Sequence, residues 1–219
     1  MSSKAKTSSA QKRRTQASAR PNRSLLIVGG IGAMVLVAAV IALALSSGTP
    51  TVAEPAESPV TVGGSMLPTY ESGTPDAAEG MAVPTLSGTN TQGGSMTIAP
   101  EGGAAAIVIL SHTCPHCQAE LPNLVAYLND NPPPEGVDII GLSTLINPAG
   151  ANYPSADWLA REGWTYPTLL DDANSTAALA LGRMGTPGFI YLANNGTVAL
   201  RMIGFDPEAF GQMLEAIAP

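Results

Sequence analysis

The stretch AAAIVILSHTCPHC, residues 104–117, decides how the rest of the chain is read. Its first seven residues are apolar, three of them β-branched, the pattern of a strand buried on both faces. Its last four hold the only two cysteines, Cys114 and Cys117, and one of the two histidines, His116. From Pro115 onward to about residue 130 the sequence reads as a helix with proline at its first position, where a missing N–H costs nothing. A strand, a short loop and then Cys-x-x-Cys at a helix N-terminus is the setting in which that motif performs thiol chemistry. The positive end of the helix dipole and unpaired backbone N–H groups there favour a thiolate.

Working outward, Pro122 lies inside the helix, eight residues past Cys114, and predicts a kink. The run Asn131-Pro132-Pro133-Pro134 stops it. A second buried strand is expected over 137–145, a loop over 147–154, and a helix over 155–162 with Ser155 as its cap. Residues 168–170 suggest a short strand, and 173–181 a helix closing at Gly182. Two strands, 189–192 and 197–202, flank Asn194-Asn195-Gly196, a hairpin turn signal. The last helix, 206–217, has Asp206 as cap and Pro207 at its first position. Before the motif, 81–86 and 96–98 suggest two short strands, with Ser87-Gly88 between them as part of a polar connection. This order predicts an α/β fold, a central mixed sheet flanked by helices.

The chain is divided by charge. Seven of its ten basic residues precede residue 24, and no acid occurs before Glu54. After Leu45 there are three arginines against 17 acidic residues, a net charge of −14, which argues against nucleic-acid binding by the main domain. Between the basic head and the acidic body lies LLIVGGIGAMVLVAAVIALAL, residues 25–45, without a charge. At about 1.5 Å per residue it extends roughly 31 Å, enough to cross a bilayer's hydrocarbon core. The basic flank would stay cytoplasmic and the rest lie outside the cell membrane. A cleaved signal peptide is the rival reading, with Ala42-Leu43-Ala44 as its site, but the long head and long span favour an uncleaved anchor. The expected divisions are a disordered head at 1–24, which touches membrane lipid, a transmembrane helix at 25–45, a Pro/Gly/Ser/Thr-rich linker at 46–79, and a folded domain at 80–219.

Cys114, at the helix start, is the expected nucleophile, and Cys117, one turn in, the shielded resolving thiol. A purely structural disulfide would close too small a loop to constrain the unfolded chain much. His116, between the two, is expected to stabilise the thiolate through its imidazolium or its N–H. His112 is either an auxiliary of the same site or a loop residue without function. His112, Cys114, His116 and Cys117 together also present soft metal ligands, so a copper-binding protein without redox turnover is the alternative. The thiol reading itself needs no metal and no organic cofactor, since the chemistry belongs to the two sulfurs.

The sequence of elements and motifs resembles the thioredoxin fold, and within it the membrane-anchored, extracytoplasmic TlpA-like family. The likeness covers roughly residues 80–219. It rests on Cys114-Pro115-His116-Cys117, Pro122, Tyr166-Pro167 with Asp171, Gly185-Thr186-Pro187 before a strand, and Asn194-Asn195-Gly196 in the terminal hairpin. The CPHC tetrapeptide is similar to that of DsbA-type oxidases. The resemblance implies that Thr186 and Pro187 form a cis-proline loop that faces the cysteines and binds substrate. It also implies cysteine-containing exported or membrane proteins as partners, and a membrane redox partner that resets the disulfide. CPHC points to an oxidase and the TlpA-like body to a reductase, so the direction stays open. Two departures stand out: Thr113 occupies a position often aromatic in the family, and Ile107, Val108 and Ile109 leave no buried acid on the strand before the motif.

Overall fold

The computed structural model describes residues 59–73 and 75–219. The basic head, the apolar span and the first part of the expected linker, 1–58, lie outside the described residues. Among the described residues no helix is long and apolar enough to cross a membrane. The elements run β1 (Thr61–Gly63), β2 (Thr85–Asn90), β3 (Ser95–Ile98), β4 (Ala104–Leu110), α1 (Pro115–Asp130), β5 (Val137–Ser143) and α2 (Ser155–Arg161). They continue with β6 (Thr168–Leu170), α3 (Thr176–Ala180), β7 (Gly188–Leu192), β8 (Val198–Ile203) and α4 (Pro207–Ile217).

All seven residues of β4 are buried, as an unbroken apolar run requires. Because side chains alternate across a strand, Ala105, Ile107 and Ile109 enter one core, and Ala104, Ala106, Val108 and Leu110 the other. The sheet order is β1-β2-β6-β5-β4-β7-β8, with β3 paired to β2. β4 pairs in parallel with β5 and antiparallel with β7, which makes the sheet mixed. Leu121, Leu124 and Leu128 of α1 and Phe210, Leu214 and Ile217 of α4 pack with Trp158 on one face. Ala177, Ala180 and Leu181 of the α3 region cover the other.

Several local expectations shift by tertiary context. Ser155 is not the cap of α2: Pro154 stands at that position, and Ser155 is buried in the first turn. Ser87 and Gly88 lie within β2 rather than in a connection. Gly88 serves there because a Cβ would press on the Leu169 side chain, 3.2 Å away.

The ordered domain also begins earlier than composition predicts. Residues 59–79, read as linker, carry β1 and the buried Val60, Leu67 and Ala78. β1 pairs with β2 at one edge of the sheet. The chain then crosses the α3 face, where Leu67 N–H donates to Ala180 O (2.9 Å) and Tyr70 N–H to Gly182 O (2.8 Å). At the opposite edge Gly80 N–H donates to Val198 O and Val198 N–H to Met81 O, both 2.8 Å. Arg201 of β8 clasps this strap. Its guanidinium pairs with Asp76 (2.8 and 2.5 Å) and donates to Pro68 O (2.9 Å) and Leu181 O (3.1 Å). Gly182, at φ +89°, fits where a side chain would collide with Arg201 and the Pro68 carbonyl.

Candidate active site

The site forms where β4 ends, at the carboxyl edge of the parallel strands. Cys114 is the N-cap residue of α1, in extended backbone, and Pro115 follows at the first helical position. Helix geometry therefore points the N–H groups of His116 and Cys117 at the Cys114 sulfur. No acid sits in the first turn to oppose a negative charge. Cys114 is half-buried, Cys117 fully buried, and both are free thiols.

The Thr186–Pro187 bond is cis, and the Thr186 carbonyl lies 3.2 Å from Cys114 Sγ, where it accepts from the protonated thiol. Burial tends to raise the Cys114 pKa. The Thr186 side chain and the N–H groups of Cys117 and His116 favour the thiolate and outweigh burial, leaving Cys114 below the ordinary thiol value. Cys117 is driven the other way. Burial pushes its thiol up to about 12; the Ser111 N–H, 3.4 Å from the sulfur, opposes this, and a charge on Cys114 adds to it.

The structure thus brings Cys114 and Thr186 together, with Cys117 behind them and Pro187 buried in the loop. Pro115 and His116 are exposed. At His116 the backbone N–H bears on the Cys114 sulfur and favours the thiolate. His112 has a different task. It is fully buried, with Nδ1 2.6 Å from Ala151 O and Nε2 accepting from the Asn147 N–H at 3.1 Å. An N–H can only donate, so the hydrogen of the ring sits on Nδ1. His112 O accepts from Gln118 Nε2 (2.8 Å) and Asn152 Nδ2 (3.3 Å), which ties the 147–152 loop to α1.

With both His112 nitrogens engaged by backbone, the four residues of the copper reading do not converge. Among the described residues no three His, Cys, Asp or Glu side chains cluster as ligands. That alternative is not supported by the arrangement of its donors.

Two contributors escaped the sequence reading. Ser111 acts through its backbone, which no residue pattern announces. Glu120, on α1, accepts from the Phe205 N–H at 2.7 Å and fixes the turn after β8. Asp171, quoted above only as part of a motif, is buried and accepts from Thr144 Oγ1 (2.7 Å) and the N–H groups of Ala177, Ala178 and Asp172. Burial holds its carboxyl above the usual range despite these bonds. It joins the end of β5 to the start of α3, close to the cis-proline loop.

The redoxin family matches residues 78–217. No curated protein matches the chain. Among solved structures, a DsbF homologue from Corynebacterium diphtheriae shares 17% identity at a TM-score of 0.53, covering 70% of this chain and 99% of that one. A thiol:disulfide interchange protein from Chlorobium tepidum shares 18% at 0.52, covering 65% and 99%. The thioredoxin domain of a thiol-disulfide oxidoreductase from Bacteroides vulgatus shares 19% at 0.50, covering 62% and 99%. Such identities speak for the fold, while the family match speaks for the chain. With its paired thiols at the head of α1, this chain belongs to the redoxin family, as a thioredoxin-like protein-disulfide oxidoreductase.

Proposed function

We propose that the protein is a membrane-tethered, outward-facing oxidoreductase that exchanges disulfides with cysteine-containing exported or membrane proteins. The observation that carries the exchange is the placement of two neighbouring thiols: one half-exposed at a helix N-terminus, 3.2 Å from the Thr186 carbonyl, the other buried behind it. In the reducing direction the Cys114 thiolate attacks one sulfur of a substrate disulfide. The substrate S–S bond breaks, a mixed disulfide forms, and the leaving thiolate takes up a proton. Cys117 then loses its proton and attacks Cys114 Sγ, which releases the second substrate thiol and leaves the Cys114–Cys117 disulfide. Two electrons pass to the substrate; the oxidising direction is the same path reversed.

Stabilising the Cys114 thiolate stabilises the dithiol form, which makes the disulfide more oxidising. This favours disulfide donation, with a membrane redox partner restoring the disulfide. Equilibration in glutathione buffers tests it: a potential above about −200 mV marks a donor, and one near −270 mV or below marks a reductant. The exchange itself is tested with Cys117→Ser, which should accumulate mixed disulfides with scrambled, disulfide-bonded substrates, whereas Cys114→Ser forms none. Adducts on Cys114→Ser alone would reverse the roles.

The outward location rests on the basic head and the charge-free span at 25–45. Protease added to intact cells should digest the domain and spare the head. A domain left intact by active protease would contradict the topology, and soluble protein in the medium would mean that the span is cleaved.

A further inference from the structure

Beside the cis-proline loop lies a cleft of about 170 Å³, whose wall includes Thr186, the residue bonded to Cys114. Leu145, Ala178, Leu179 and Met184 supply its apolar lining, and Arg183 stands among them. Five large hydrophobic side chains are exposed among the described residues, and two of them, Leu145 (51%) and Leu179 (41%), are in this cleft. A third, Ile203 (46%), borders the same loop, where a Cβ on Gly185 would meet it at 3.1 Å. Exposed apolar surface concentrated around a reactive group marks a contact site rather than scatter.

The backbone around the cleft is unusual in the same places. Of four non-glycine residues with positive φ among the described residues, Leu145 (55°), Ser175 (57°) and Arg183 (50°) all line it. Bulky residues rarely adopt this conformation, and they do so where the surrounding structure has a use for their placement. For Leu145 and Arg183 the outcome is a side chain displayed at the rim.

Charge completes the argument. Beyond residue 45 the chain has three arginines, no lysine and 17 acidic residues. Arg161 donates to Asn152 Oδ1, and Arg201 is held by Asp76. The exposed Arg183 guanidinium has no partner among the described residues, so the acidic domain offers its free guanidinium at the edge of the redox site.

We propose that this cleft is a specificity pocket for an extended peptide segment, taking an apolar side chain next to the substrate cysteine and a carboxylate of the same segment on Arg183. The segment lies along 184–186, where the Thr186 N–H has no backbone partner among the described residues and is placed to pair with it. Elsewhere the domain's negative charge repels acidic peptides, so the preference is local to the cleft. The pocket rests on the disulfide-exchange reading, and its test separates the two.

The experiment uses the full-length chain, reduced, in detergent. Hydroxyethyl disulfide reports the basal exchange. Peptides carrying one cysteine as a thiopyridyl mixed disulfide report the pocket; each turnover converts the protein dithiol to its disulfide and releases peptide thiol and thiopyridone. The flanking side chains are Leu with Glu, Leu with Lys, and Ser with Glu. Wild type should prefer Leu with Glu over either other peptide by about tenfold in the second-order rate constant of this single turnover, a usual scale for one pocket or charge contact. Arg183→Glu should invert the Glu-to-Lys ratio, Arg183→Gln should bring it to about one, and Leu179→Ser should erase the Leu-to-Ser ratio. Each ratio is taken within one variant, so a general loss of activity cancels. Reduction of hydroxyethyl disulfide with peptide ratios indifferent to flank and to Arg183 overturns the pocket alone. No reduction of any disulfide by wild type overturns the pocket together with the activity beneath it.

Discussion

Cys114 and Cys117 share a helix turn yet differ in what surrounds each sulfur, and their reactivity should differ accordingly. Alkylation by iodoacetamide follows the thiolate. In the reduced protein it should give one adduct, on Cys114, with a rate half-maximal below pH 9.0, the ordinary thiol value. Cys117, at about 12, should stay unmodified across that range. Peptide mapping that found equal labelling of both would refute the divergence. The neighbour between them supplies a second test. Because the His116 backbone N–H is the donor, His116→Ala keeps it. The exchange equilibrium should then move less than tenfold, under about 30 mV for a two-electron couple. A larger shift in glutathione titration would give the effect back to the ring.

The elements show what local pattern reveals and what it hides. β4 and α1 were legible because a continuous apolar run and a proline-led helix are set by near neighbours. The cap of α4 was legible for the same reason, with Asp206 Oδ1 accepting from the Ala209 N–H at 2.8 Å. Asp206→Ala should lower stability by about 1 kcal/mol in urea unfolding; no change would show the cap to be idle. β2 was misplaced because Ser87-Gly88 reads as turn chemistry, while its strand conformation is imposed by β3 and by the Leu169 side chain. His112 could not be assigned from a loop sequence. Its role depends on Asn147 and Ala151, 35 and 39 residues away, and on a burial that polar loops seldom have. The redox pair was thus readable from sequence, whereas the shell that holds it was not.

At the scale of the molecule the strap is the chief departure from the sequence reading. Composition rich in Pro, Gly, Ser and Thr carries no trace of an ion pair 125 residues distant. The Arg201 side chain is wholly buried, so removing its partner leaves an uncompensated charge. Asp76→Ala should cost about 3–5 kcal/mol, measured by urea unfolding at neutral pH. The effect has a defined pH window. The bond to Arg201 holds the Asp76 carboxyl below its ordinary 3.8, burial opposing. A depressed carboxyl stabilises the fold fully above its unfolded value and loses that contribution as pH falls through the folded one. The gap between wild type and Asp76→Ala should therefore be constant above about pH 5 and close below pH 3.8. A gap that persisted in acid would assign the cost to packing alone.

The Arg201 clasp also decides how the domain bears mechanical load. The strap is fastened at one sheet edge by β1 and at the other by Arg201 and the bonds around Val198. Tension arriving from the chain ahead of Pro59 is carried first by these two fastenings, on the outer strands. β4, which ends at the cysteines, lies between β5 and β7 in the interior of the sheet, away from that route. Pulling on the chain ahead of Pro59 would strain the margins of the sheet before it disturbed the spacing of the two sulfurs.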